Sequence, residues 1–173
     1  MPDHAFPVNA PTSLLRSSVK ASAVPVAGLP NCVPLGPVID RELAACRRNG
    51  SSLVVLSIVV DGLESMGQQH GEAVAHELLE AAWNRLRNHL RGSDLALRVG
   101  GGEFGAVLLN ASWPAAGIVD ARVTAALSQP YGIGPLEIVM TARAGAAIYP
   151  RAGTTGEALL AAAAQAGAAK LRT

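Results

Sequence analysis

Charge is scarce in this chain. Of 173 residues, 14 are Lys or Arg and 13 are Asp or Glu, which leaves a formal net charge of +1. No broad basic field exists to hold a polyphosphate backbone, and aromatics at 3% give few platforms on which single-stranded bases could stack. Nucleic acid is thereby excluded as the main ligand. Cys32 and Cys46 are too few for a disulfide framework, and neither has metal-type spacing to the four histidines. Both read as small buried apolar residues. No apolar run approaches the ~18 residues of a membrane span. Met1 to Ala10, with Asp3 and two prolines, has no basic stretch leading into an apolar core and does not read as a secretory signal. The expectation is a cytoplasmic domain that meets a membrane only through a partner.

What the chain does have is apolar bulk: half of its residues are hydrophobic, enough for one domain with a real core. Residues 1–27 are rich in Pro, Ser, Ala and Val without sustained periodicity. They read as an arm or linker with one short helical turn around Leu14 to Lys20, either a tail or a docking segment. Residues 28–173 form the domain. Val38 to Arg48 places Val38, Leu43 and Cys46 on one helical face and stops at Asn49-Gly50. Ser52 to Asp61 is a nearly continuous β-branched run, a strand buried on both faces. Glu72 to Arg91 repeats apolar residues at three and four, the mark of a long amphipathic helix.

Leu95 to Val99 and Phe104 to Leu109 read as two strands joined by glycines. Pro114 to Leu127 is a helix with Ser112 as its cap. Leu136 to Tyr149 supplies one or two strands with a bulge or kink at Gly145, and Thr155 to Leu171 is an Ala-rich helix. The order predicts an α/β fold of three layers, a mostly antiparallel central sheet flanked by helices. Trp83 and Trp113 read as packing residues, and His70 and His76 as exposed polar residues rather than metal ligands.

One hairpin stands apart. Arg98-Val99-Gly100-Gly101-Gly102-Glu103-Phe104 places GGGEF between two apolar strands. Upstream lie Gly28-Leu29-Pro30-Asn31, a strand ending at Asp61, Gly71 before the long helix, and Arg91-Gly92-Ser93-Asp94. In this order and at these distances the chain resembles the GGDEF family, the diguanylate cyclases, from Gly28 to about Lys170.

That resemblance implies paired domains, each holding one GTP, with Mg²⁺ bridging the phosphates to two acidic side chains. The matching positions here are Val59 and Gly102, which offer no carboxylate oxygen to a hard cation. The family's guanine-reading pair maps onto Gly67 and His76, and its lysine near the phosphates onto Glu64. Asp61, Glu64 and Glu103 remain as a makeshift carboxylate set, and Lys170 lies near the family's late phosphate lysine. A second site is implied by R-x-x-D five residues before the signature, where cyclic di-GMP binds in the family. Arg91 and Asp94 reproduce the motif, and Arg122 falls at the place of its second arginine. An arginine fork can donate to guanine O6 and N7, and an aspartate can accept from the opposite edge.

The expectation from this contrast is a degenerate domain that is no enzyme, holds no metal or cofactor, and acts as a cyclic di-GMP receptor. It would work as a homodimer or on a partner such as an exopolysaccharide, motility or transcription system. The alternatives are residual diguanylate cyclase activity and a dimerisation scaffold without ligand.

Overall fold

The computed structural model describes residues 28–170. The arm read at 1–27 and the last residue of the predicted C-terminal helix, Leu171, lie outside them. In chain order the elements are α1 (Leu35–Asn49), β1 (Leu53–Asp61), α2 (Leu63–His70), α3 (Glu72–Asn88), β2 (Leu95–Arg98), β3 (Glu103–Leu109), α4 (Trp113–Leu127), β4 (Tyr131–Ile133), β5 (Leu136–Ile138), β6 (Thr141–Tyr149) and α5 (Gly156–Ala169).

Four strands form one sheet in the order β2-β3-β1-β6, every neighbouring pair antiparallel, and β4-β5 is a separate two-stranded ribbon. The β-branched run of β1 explains its central place. Val54, Leu56, Ile58 and Val60 face one core with residues of α3 and α4, while Leu53 and Val55 face a second core with residues of α1 and α5. A strand apolar on both faces is stable only between two layers, and each such buried side chain contributes about 1.5–3 kcal/mol. The three-layer α/β fold expected from the sequence is what forms.

The helix ends follow local chemistry. Gly50 closes α1 in the left-handed region at φ 64, where its N–H donates to the Cys46 carbonyl. Thr155 caps α5, its hydroxyl accepting from Ala158 N at 3.2 Å. Ser112 stands at the N-cap of α4, but its side chain makes no cap bond.

Several expectations need correction. The buried face of α1 is Leu35, Ile39, Leu43 and Cys46, with Val38 only half-buried. Cys46 is buried as expected, but Cys32 is exposed. Trp83 packs in the core, 6.0 Å from Phe104 between ring centres. Trp113, by contrast, is 54% exposed at the start of α4. Gly145 is neither bulge nor kink, because β1 and β6 pair without interruption from Leu53↔Tyr149 to Asp61↔Thr141. It is glycine for a packing reason: a Cβ there would lie 2.1 Å from both Ala163 O and Gly167 N of α5.

Candidate functional site

The loop joining β2 and β3 folds back over the end of β1. Val99 and Gly100 both donate from their backbone N–H to the Glu103 carbonyl, and Val60 N donates to Gly102 O at 2.8 Å. Phe104 is buried beneath Trp83 and anchors the hairpin to the α3–α4 layer. Strand alternation then sends Glu103 to the opposite face, where it pairs in register with Val59, and Val59 with Arg143 on the other side.

Beneath this hairpin lies a cavity of about 800 Å³ framed by the end of β1, the N-terminal turns of α2 and α3, and the glycine loop. Its charged and polar lining is Asp61, Glu64, Glu72, His76, Arg98 and Glu103, with Val59, Leu63 and Leu79 among its apolar walls. Such a volume suits a nucleotide-sized ligand.

The cavity's carboxylates do not form a ready-made metal cage. Val59 and Gly102 bring no side-chain oxygen. A side chain at 102 would also have no room, since its Cβ would stand 2.4 Å from Val60 O and 3.0 Å from a methyl of Leu63. Asp61 is held by Arg143 through two bonds, Nε to Oδ2 at 3.0 Å and Nη2 to Oδ1 at 3.2 Å. Among the described residues no three His, Cys, Asp or Glu side chains converge as metal ligands. Six to eight oxygens are the habit of Ca²⁺, and Mg²⁺ demands near-octahedral geometry. The residues present therefore do not fit a resident divalent ion.

Two expectations for the cavity change. His76 is not an exposed polar residue: it is half-buried, lines the cavity, and its Nε2 is buried with no hydrogen-bond partner among the described residues. Lys170 is not in the cavity. Its Nζ donates to Asp120 on α4 and, at 2.7 Å, to the Ala144 carbonyl of β6, tying α5 across the sheet edge. Asp120, the one buried charged residue among those described, owes its burial to this pairing. Glu64 is exposed in the first turn of α2, and Gly67 is buried on the same helix.

The second group of predicted residues meets at the C-terminal end of α3. Arg91-Gly92-Ser93-Asp94 closes a turn in which Asp94 N donates to the Arg91 carbonyl, and Asp94 Oδ2 accepts from Arg91 N, both at 3.0 Å. Arg122 reaches from α4 to donate through Nη2 to the His89 carbonyl at 2.7 Å, two residues before Arg91. Arg91 and Arg122 are exposed and Asp94 half-buried. The three side chains thus border one corner of the α3–α4 layer. The side chains of Asp94 and Arg122 have local partners that account for them without a ligand, whereas the Arg91 guanidinium makes no hydrogen bond or ion pair among the described residues.

Comparison with known proteins identifies the class. The family described as "Diguanylate cyclase, GGDEF domain" matches residues 25–172. The chain belongs to the GGDEF family. It is 30% identical over 133 residues to the bifunctional diguanylate cyclase/cyclic di-GMP phosphodiesterase MucR of Pseudomonas aeruginosa, covering 76% of this chain and 19% of MucR. It is 29% identical over 144 residues to the diguanylate cyclase DgcP of the same organism, covering 77% of this chain and 22% of DgcP. The chain thus spans about a fifth of the length of the curated relatives it matches. Among solved structures, a sensory box/GGDEF family protein from Caulobacter crescentus superposes with a TM-score of 0.73 at 28% identity, over 80% of this chain and 90% of that one.

These matches overturn the expectation that the domain is no enzyme. The family that covers it is one of diguanylate cyclases, and the relatives aligned over three-quarters of the chain carry that activity in their names. Val59 and Gly102 change where side-chain oxygens can come from in the cavity, which leaves Asp61, Glu64, Glu72 and Glu103 as its carboxylates.

Proposed function

We propose that this domain works in bacterial cyclic di-GMP signalling as a nucleotide-handling member of the diguanylate cyclase family. It receives GTP in the hairpin cavity, and two domains face one another so that the 3′-hydroxyl of each nucleotide attacks the α-phosphorus of the other, each hydroxyl losing its proton and each α–β phosphoanhydride bond breaking to release pyrophosphate. The working unit is the domain from Gly28 onward, with residues 1–27 as its arm or linker, and it operates in the cytoplasm. The observation that carries this reading is the open cleft of about 800 Å³ bordered by the signature hairpin. Its lining supplies Asp61, Glu64 and Glu103 as the carboxylates on which turnover depends. The protein holds no metal or cofactor of its own, and a divalent cation arrives as part of the triphosphate substrate. Phosphoryl transfer rests chiefly on positioning and charge, so these carboxylates act by orienting that substrate.

The test is incubation of the protein with GTP and Mg²⁺ or Mn²⁺, followed by chromatography for cyclic di-GMP. Product is expected, and Asp61→Asn or Glu103→Gln should lower it at least tenfold. A chromatogram showing GTP alone at high protein concentration ends the cyclase reading.

A second role is supported by the corner at the end of α3. Arg91, Asp94 and Arg122 carry the donors and the acceptor that guanine edges and a phosphate require, and two of the three are exposed there. This corner is proposed as a cyclic di-GMP site through which the domain docks on a second copy or on a regulated partner. Calorimetric titration that gives Arg91→Ala and Asp94→Ala the wild-type affinity removes it.

A further inference from the structure

β6 ends the four-stranded sheet and is bonded to β1 on one side only. Val60 N donates to Gly102 O, so the even-numbered residues of β1 turn their backbone groups to β3 and the odd-numbered ones to β6. Through the register Val59↔Arg143 and Val55↔Ala147, the odd-numbered residues of β6 answer β1. Ala144, Ala146 and Ile148 therefore turn their N–H and C=O groups outward. Two of these carbonyls are taken: Lys170 Nζ donates to Ala144 O at 2.7 Å, and Ala152 N donates to Ile148 O at 2.8 Å. Between those two caps, the N–H and C=O of Ala146 and the N–H of Ile148 have no partner among the described residues. An unpaired strand edge is a template for one more strand.

This stretch floors a recess of about 360 Å³ with Trp113 of α4 and Ala162 of α5 in its walls and Arg151 from the loop after β6. With a helix on each face, the recess admits a single extended chain and not the edge of a second folded domain. A strand rises about 3.3 Å per residue, so the open stretch takes roughly three residues of such a chain. Arg151 is exposed, is the one charged residue of the lining, and joins none of the ion pairs among the described residues. No lining residue belongs to the hairpin cavity or to the Arg91–Asp94–Arg122 corner.

We infer that the free edge of β6 is a docking site for an extended acidic peptide segment of a partner protein, which adds a short antiparallel strand to the sheet. Antiparallel pairing lets one peptide residue exchange both bonds with Ala146. That residue lies on the face of Ala146, which packs with the α4 layer, so an apolar side chain there covers Trp113. Its neighbours turn to the α5 face, where Ala162 leaves space for small side chains. The residues before it run past Ile148 toward Arg151, and a carboxylate about three residues earlier meets the guanidinium. Main-chain bonds supply affinity, while the aromatic wall and the lone cation supply the choice of partner.

The experiment titrates the full chain with the peptide acetyl-Glu-Thr-Ala-Val-Ala-Thr-amide and follows tryptophan emission. Trp113 is covered on binding, whereas Trp83 is buried already. A saturable blue shift with Kd below about 1 mM is expected. The same peptide N-methylated at its valine lacks the N–H that Ala146 O accepts, and should bind about tenfold weaker. Arg151→Glu should weaken the peptide about fivefold and favour a version with lysine in place of glutamate. Ala146→Pro removes the outward N–H without touching the bonds to β1, and should weaken binding about tenfold. Melting temperatures accompany each variant, and the exposed Arg151→Glu carries the test if the proline variant does not fold. No saturation up to several millimolar overturns the site. Equal affinity for the N-methylated peptide overturns strand addition, and unchanged affinity in Arg151→Glu overturns the acidic partner. Silence with the peptide, together with self-association that Ala146→Pro abolishes, gives the edge to a second copy and overturns the partner as well.

Discussion

Gly102 carries more than a missing carboxylate. Its backbone carbonyl accepts from Val60 N, and a Cβ would be driven to within 2.4 Å of Val60 O. The hairpin has settled onto the end of β1 at a distance only glycine permits. Gly102→Asp is therefore expected to destabilise the fold by about 1–3 kcal/mol, the usual cost of overpacking, as the loop is pushed off the strand. Urea unfolding measures it, and a variant as stable as wild type would show that the loop moves freely. The glycines, the strands and the spacing were legible in the sequence because they are local. The contact between Gly102 and Val60 was not, since it joins residues far apart in the chain. In sequence His76 is a polar residue near a helix start, and only the fold, which brings the Gly101–Glu103 hairpin opposite α2 and α3, makes it part of a cavity wall.

At the level of elements, the long periodic segments were legible, as was the short β2 beside its glycines, while α2 and β4 were not and the split of β5 from β6 was left open. α1, β1, α3, α4 and α5 show apolar repeats or caps in the sequence. α2 has only Leu63 and Met66 to mark an inward face over eight residues, and β4 is three residues long, too short for alternation to register. Gly145 again shows why pattern alone fails: the glycine signals a close approach, and the partner is α5. Gly145→Ala should cost about 1–3 kcal/mol by prising α5 from β6, read as a lowered denaturation midpoint.

A second element-level prediction concerns the junction of α3, α4 and β4. Tyr131 is buried, its hydroxyl donates to the Leu127 carbonyl at 2.8 Å, and the Arg85 guanidinium lies 3.7 Å over its ring. Burial pushes the phenol up from its ordinary 10.0, while the charge and hydrogen bond of Arg85 pull it down by less. Above pH 10 the unfolded chain releases this proton while the native state still holds it. The contribution to stability is thus complete below pH 10 and is lost as pH rises through the folded value. Tyr131→Phe removes that titration, at a cost of about 1 kcal/mol at pH 8 for the lost hydrogen bond. Unfolding free energies between pH 8 and 11 should fall less steeply in the variant, and identical slopes would assign the alkaline loss to other groups.

Across the whole molecule, the two proposed nucleotide surfaces sit at opposite ends of α3: the cavity at its first turns, and the Arg91–Asp94–Arg122 corner just past its last. Cyclic di-GMP bound only to the native state must raise stability by RT ln(1 + [L]/Kd), about 2.7 kcal/mol at a hundredfold excess over Kd. At roughly 3 °C per kcal/mol for a chain of this size, the melting temperature should rise by about 8 °C. Arg91→Ala and Asp94→Ala each remove a charge-assisted bond of about 2 kcal/mol, which weakens Kd by roughly thirtyfold. At the same ligand concentration the gain then shrinks to about 0.9 kcal/mol, or about 3 °C. Asp94 also accepts from Arg91 N in the free protein, so Asp94→Ala lowers the unliganded melting temperature as well. The comparison must therefore be between ligand-induced shifts. Arg122 tests the geometry, because its guanidinium is bonded to the His89 carbonyl and must serve ligand with its remaining donors or release that bond. Arg122→Lys keeps the charge and loses the fork, and should show a shift between those of wild type and Arg91→Ala. If all four proteins melt with the same ligand-induced shift, cyclic di-GMP binds elsewhere and the corner is only the turn that ends α3.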